Sequence, residues 1–164
     1  MAKQIPLTQG KFSLVDDADF EFINQWKWQY HTGGYARRDY AVDGKRFKVY
    51  MHRVITGNDE SLVVDHINGD RLDNRKENLR LCHQKQNSAN SRKSKNNTTG
   101  FKGVCFYKRD GVYTAQLMKD RKMIYLGRFT KPEYAAAAYD LAAMNLFGDF
   151  ANTNFNWEKL KCRV

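Results

Sequence analysis

The sequence has little cysteine and no long apolar run. Three cysteines, Cys82, Cys105 and Cys162, are spread over 164 residues, and none forms a CxxC pair. Neither a disulfide framework nor a four-cysteine zinc site is expected, and a reducing cytoplasm fits. No stretch approaches the roughly 18 apolar residues that a spanning helix needs, which argues against a membrane-spanning protein. The opening MAKQIPLTQGKFSL lacks the apolar core of a signal peptide, which argues against secretion. No long internal repeat is visible. Disorder is excluded by composition: 41% of residues are apolar, with three Trp, nine Tyr and ten Phe. The length suits one medium domain or two or three small modules.

What is abundant is positive charge. Twenty-eight Lys and Arg against 18 Asp and Glu leave a net +10, which points to a polyanionic partner, nucleic acid first. The excess is uneven. Residues 1–60 hold nine basic and eight acidic residues, residues 61–98 eight and four, and residues 99–164 eleven and six. The sharpest break, SANSRKSKNNTT over 88–99, is polar, basic and nearly free of apolar residues. It reads as a helix end followed by a linker, either a tether along phosphates or a solvated spacer.

The pattern predicts an α+β protein of three modules. In the first, residues 1–57, acids open a short helix at 16–23. The runs Trp26–Tyr30, Tyr35–Tyr40 and Arg46–Met51 alternate, separated by Gly33-Gly34 and Asp43-Gly44 as hairpin turns. A small antiparallel sheet follows, with Trp26, Trp28 and Tyr30 as core rather than base-stacking residues and a helical turn over 51–57. The second module, residues 58–93, reads strand (61–67), long polar loop (68–77), strand (78–82) and helix (83–92). A basic linker takes 94–99. The third module, residues 100–157, has strands at 103–107, 112–118 and 123–129, then a helix from Pro132 to Phe147 ended by Gly148. Its alanine-rich face lets the helix approach a three-stranded sheet closely. Residues 158–164 form a tail.

Asp65-His66, at a strand end entering an irregular loop, is the strongest chemical signal. Phosphodiester hydrolysis needs an activated water, a hard Lewis acid and a stabilised leaving oxygen. A carboxylate with an amide oxygen suits Mg²⁺, and a neutral imidazole takes a proton from water. Cys82 beside His83 does not make a zinc site, because no second Cys/His pair has the spacing.

At these residues the chain resembles a known family. Val64-Asp65-His66-Ile67-Asn68-Gly69-Asp70, Asp73-Asn74-Arg75-Lys76-Glu77-Asn78-Leu79-Arg80 and Asn87 resemble the HNH motif of phage-type, homing-endonuclease-like enzymes. Asn78 lies 13 positions after Asp65, and Asn87 lies 22 positions after it. The resemblance implies a ββα-metal finger. It implies His66 as general base, Asp65 and Asn87 as ligands of one Mg²⁺ or Mn²⁺, and Asn78 as a brace that orients the base. His52 and Arg53, from a His-Arg pair such enzymes carry upstream, are assigned to the scissile phosphate. Asn87 stands where many relatives have His, and His83 shares its helix face as a competing ligand; an oxygen suits Mg²⁺ better.

A second resemblance covers residues 99–157. Gly100-Phe101-Lys102-Gly103-Val104, Tyr113–Leu117, Tyr125–Phe129, Ala135–Ala143, Phe147-Gly148 and Asn154-Phe155 resemble the APETALA-type domain of plant ethylene-response factors. It implies a three-stranded sheet packed on one helix and laid in the DNA major groove. Lys102, Arg109, Tyr113, Gln116, Lys119, Lys122, Tyr125 and Arg128 are then DNA contacts. Several plant Arg positions are Cys105, Met118 and Met123 here, so target sequence does not carry over. Together these imply a metal-dependent endonuclease of double-stranded DNA, a nickase as a monomer or weak dimer, phage-encoded and acting in the bacterial cytoplasm. The alternatives are a DNA-binding regulator with a decayed nuclease site and an enzyme that cuts RNA or a nucleic-acid structure. The deep RNA major groove disfavours the RNA reading.

Overall fold

A computed structural model describes residues 1–57, 59–91, 93–94 and 96–157. Arg92 and Lys95 of the basic segment, and the 158–164 tail with Cys162, lie outside the described residues. The chain is α+β, with small antiparallel sheets and few helices. It divides into two compact units, Met1–Asn87 and Ser88–Val164.

Unit one begins with a hairpin that the sequence pattern did not announce. β1 (Ala2–Pro6) pairs antiparallel with β2 (Phe12–Asp16), Ala2 opposite Asp16. β2 turns Ser13 and Val15 inward. Helix α1 (Asp17–Asn24) follows, with Asp17 and Asp19 in its first turn, where carboxylates oppose the helix dipole. Strands β3 (Gln29–Tyr30), β4 (Ala36–Val42) and β5 (Lys45–Tyr50) form the expected antiparallel sheet, although β3 holds only the end of the Trp26–Tyr30 run. The next helix, α2 (Met51–Thr56), ends at Gly57 with φ 88°, the left-handed conformation that glycine adopts freely. Ile5, Leu7, Val15, Ile23, Trp28, Ala36 and Met51 make the core. Each fully buried Ile or Met here contributes about 1.5–3 kcal/mol. Trp28 is core, its indole N–H donating to Ile23 O at 2.9 Å. Trp26 packs against that core and carries the Arg38 guanidinium 4.1 Å over its ring.

The strands β6 (Val63–His66) and β7 (Leu79–Cys82) form a two-stranded antiparallel pair, followed by α3 (Gln84–Ala89). The loop between them docks on β2. Leu14 and Asp73 make a parallel bridge, with Leu14 N bonded to Leu72 O and Asn74 N to Leu14 O, both at 2.8 Å. Thus residues assigned to separate modules by composition share one unit.

In unit two, β8 (Val104–Tyr107), β9 (Val112–Lys119) and β10 (Lys122–Phe129) form a sheet in the order β10-β9-β8. α4 (Pro132–Phe147) covers one face: Ala135 and Ala136 meet Val104 and Ala115, and Tyr139 and Ala143 meet Leu117. The approach is close at Gly103, where a Cβ would fall 2.7 Å from Gln116 O and overlap the Tyr139 ring. Asp140, fully buried on α4, holds the segment after the helix. It accepts from Asn154 N and Nδ2, Phe155 N and Trp157 Nε1 at 2.7–3.0 Å.

Candidate nuclease centre and sheet surface

Asp65 and His66 close β6, facing Arg80 and Leu79 across the pair. Both side chains are buried, 4% exposed each. Burial of a charge demands a partner, and Asp65 has one: Arg80 Nε and Nη2 donate to its Oδ2 at 2.9 and 2.7 Å. His66 Nε2 lies 3.2 Å from Asn74 Oδ1. Burial lowers the His66 pKa below its ordinary 6.5, opposed by the Asn74 bond and by Asp65. The imidazole is therefore mainly neutral at pH 7, the state a proton acceptor requires.

The loop is held from inside. Asn78 Oδ1 accepts from Asn68 N at 2.9 Å, and Asn78 Nδ2 donates to Asp73 O at 2.8 Å. Arg75 grips Asp73 in a fork, Nε to Oδ1 at 2.8 Å and Nη2 to Oδ2 at 2.7 Å, which lowers the Asp73 pKa. Asn87 lies on α3 and Cys82 at the end of β7. Burial first, and the charge of Asp65 second, push the Cys82 thiol up, while the Asn87 N–H opposes them.

A ring cluster surrounds His66. The His52 ring stands edge-on to it at 5.3 Å, Tyr50 stacks on His52 at 5.5 Å, and Tyr35 lies 5.2 Å from His52 and 6.0 Å from His66. Burial, then the neighbouring His66 and Arg53, take His52 to a pKa of about 3, so it stays neutral. Arg71 Cζ sits 4.7 Å over the Tyr35 ring, and Arg71 Nη1 donates to Gly33 O at 2.7 Å.

On the sheet of unit two, register and burial separate the faces. Ala115 and Leu117 turn to α4; Gln116 faces outward opposite Tyr125, and Met118 opposite Met123. Tyr125 is 60% exposed. Arg128 and Arg109 meet at Asp110, 3.2 and 2.8 Å from its two oxygens. Lys119 and Lys122 pair across the turn at Asp120-Arg121.

Residues 49–89 match the family model described as HNH endonuclease. An uncharacterized HNH endonuclease of Acanthamoeba polyphaga mimivirus is 32% identical over 152 residues, which is 89% of this chain and 76% of the viral protein. This chain belongs to the HNH endonuclease family. It is a nuclease acting on DNA. Its C-terminal region is similar to plant proteins. An AP2/ERF and B3 domain-containing transcription factor of Arabidopsis thaliana is 44% identical over 63 residues, and an APETALA2-like protein of Oryza sativa subsp. indica 41% over 56. Those matches cover 37% and 34% of this chain but only 18% and 13% of the plant proteins.

Within the HNH unit, the structure brings Asp65, His66, Asn78 and His52 together in and around one loop. It redirects others. The side chain that reaches His66 is Asn74, where the sequence assigned orientation of that imidazole to Asn78. Arg53 donates to Asp59 O and Leu62 O at 3.1 and 3.5 Å, so it braces the loop after α2. Arg71, which the sequence did not single out, is a cation whose charge His66 feels. His83 is exposed, its N–H donating to Gln86 Oε1 at 2.9 Å.

Two of the expected DNA contacts are also placed elsewhere. Tyr113 shares the strand parity of Ala115 and packs with Val104 and Ala135, its ring 4.9 Å from Phe106. Lys102 Nζ donates to Ala89 O and Asn152 O at 3.0 and 3.4 Å and lies 5.8 Å from the Tyr139 ring centre. Burial pulls its pKa to about 8 against the attraction of Asp140.

HNH nucleases use a divalent metal. Among the described residues no three His, Cys, Asp or Glu side chains cluster. The expected ligands are one carboxylate, Asp65 at the end of β6, and one amide, Asn87 on α3. Two hard oxygens fit Mg²⁺ or Mn²⁺, which keep several waters, and do not fit zinc. Among the described residues no helix is long and apolar enough to cross a membrane.

Proposed function

We propose that the chain hydrolyses phosphodiester bonds of double-stranded DNA, one strand per catalytic event. The observation that carries this is a buried imidazole held by a side chain beside a buried carboxylate at the end of one strand. His66 accepts the proton of a water that attacks phosphorus in line. Asp65 and Asn87 hold a single divalent cation, Mg²⁺ or Mn²⁺, with Arg80 neutralising the Asp65 carboxylate before it is bound. When bound, the cation withdraws charge from the phosphate and the leaving 3′ oxygen. The products are a 5′ phosphate and a 3′ hydroxyl. Arg71 supplies positive charge beside the imidazole for a phosphate oxygen, and His52 and Tyr35 wall the base from solvent.

Unit two positions the enzyme on duplex. Gln116 and Tyr125 on the open sheet face, with Arg109, Lys119, Lys122 and Arg128 at its rim, contact the major groove and its phosphates. Gln116 suits an adenine edge. One active site per chain makes the monomer a nickase; paired nicks need a dimer or a second encounter. The enzyme works in the cytoplasm of a host cell, in the manner of phage homing endonucleases.

The test is relaxation of supercoiled plasmid in Mg²⁺. Open circles that vanish with EDTA and in Asp65→Ala are expected. Cleavage that persists in EDTA would overturn the metal-assisted mechanism.

A further inference from the structure

Asn74 is fully buried inside the catalytic loop, and its amide spans two partners. Its Nδ2 lies 2.7 Å from Ser13 Oγ and 3.6 Å from Met51 Sδ, and its Oδ1 lies 3.2 Å from His66 Nε2. Amide oxygen and nitrogen are distinguished only by the network around them. Here the network decides. Ser13 Oγ sits 2.8 Å from Leu72 O and 3.2 Å from Met51 Sδ, and both only accept. The single Ser13 proton is therefore committed, and its oxygen offers Asn74 a lone pair. Flipping the amide would set Asn74 oxygen against that lone pair and the thioether. Asn74 Oδ1 must face the imidazole, and a carbonyl oxygen accepts only from N–H.

We propose that Ser13 and Asn74 fix the tautomer of His66, holding its proton on Nε2 and its lone pair on Nδ1. They are positioning residues for the base. The inference rests on the reading of His66 as general base. A neutral imidazole has one N–H, so one acceptor on one nitrogen selects the other as the base. Ser13, Asn74 and Met51 are 0% exposed, so no water replaces a missing partner. Ser13 belongs to β2, outside the 49–89 family match, and β2 clamps the loop through the Leu14 bonds on either side of Asp73. The N-terminal hairpin is in this way part of the catalytic apparatus.

The test is ¹⁵N NMR of the full chain, metal-free in EDTA at pH 8. There are four histidines, and His66 is assigned by the signals lost in His66→Gln. Wild type is expected to show a protonated Nε2 and a bare Nδ1; the reverse pattern overturns the proposal with no variant needed. Asn74→Asp keeps an acceptor and is expected to keep the signature. Asn74→Leu removes it and is expected to mix tautomers, lowering kcat about 10–100-fold, a part of the roughly 10²–10⁴-fold that general-base catalysis supplies, with KM for DNA little changed. Ser13→Ala, which frees the amide to flip, is expected to mix them too and decides the matter should Asn74→Leu fail to fold. A folded Asn74→Leu or Ser13→Ala protein with the wild-type signature and rate overturns the proposal. Normal cleavage by His66→Gln would instead sink the general-base reading, leaving the tautomer readout to stand or fall alone.

Discussion

Asp140→Ala tests how unit two holds together. The carboxylate is fully buried and gathers four donors, Asn154 N, Asn154 Nδ2, Phe155 N and Trp157 Nε1. Alanine leaves all four without their acceptor. Hydrogen bonds to a charged group contribute about 1.5–3 kcal/mol each, but the donors are only partly buried and recover some water, so the four do not add. A loss of about 3–5 kcal/mol is reasonable for breaking such a buried charged network. A unit of this size has about 4–10 kcal/mol in all, so the variant should lose about a third or more of its stability, and sit near its midpoint in water if the total is at the low end. Asn at 140 is a sharper probe. It keeps one oxygen for Asn154 but turns an NH₂ toward Phe155 N and Trp157 Nε1, two donors, so it should lose about 2–4 kcal/mol despite equal volume. Urea titration read by amide resonances of Ala115 and Leu117 reports unit two separately. A loss below about 1 kcal/mol for Asp140→Ala would refute the reasoning, because four donors deprived of a buried carboxylate cannot be that cheap even when partly hydrated.

Gly103→Ala combines φ +74° with a Cβ that meets Gln116 O and the Tyr139 ring, so unit two should lose more than the ~1 kcal/mol of left-handed strain alone, read in the same titration. Arg128→Ala should weaken duplex binding and flatten the slope of log K against log salt by about one, measured by fluorescence anisotropy at several salt concentrations. Lys102 has a folded pKa of about 8, below the 10.5 of the unfolded chain. Between those values the unfolded state binds more protons, so unit two should gain stability as pH rises from 8 toward 10. Tyr139, raised to about 12, pulls the other way only above pH 10. Lys102→Met should flatten the rise below 10 in urea titrations at stepped pH.

Much of the HNH segment's element order was legible because its signals are local. Val63-Val64 runs into Asp65-His66, and the Asp65, Asn78 and Asn87 spacing survives as strand, loop, strand and helix. The C-terminal helix was legible from Pro132, the alanine face and Gly148. What was not legible depends on distant partners. β1 is short and mixed, and its value lies in pairing with β2. Asn74 reads as a turn residue within a polar loop; its role appears only through Ser13, 61 residues away. The resemblances make Lys102 and Arg53 contacts to DNA, yet tertiary packing gives both to backbone carbonyls. Tyr113 was a missed local signal, since it shares strand parity with Ala115 and Leu117, which face the helix.

The most direct measurement is single-turnover cleavage of supercoiled plasmid in Mg²⁺ by wild type and His66→Ala, with DNA affinity determined in parallel. Wild type should yield open circles. His66→Ala should bind DNA within a few-fold of wild type and cut at least about 100-fold more slowly, the lower range of general-base catalysis. Near-normal cutting by His66→Ala would contradict the assignment of the base, and with it the centre described at the end of β6.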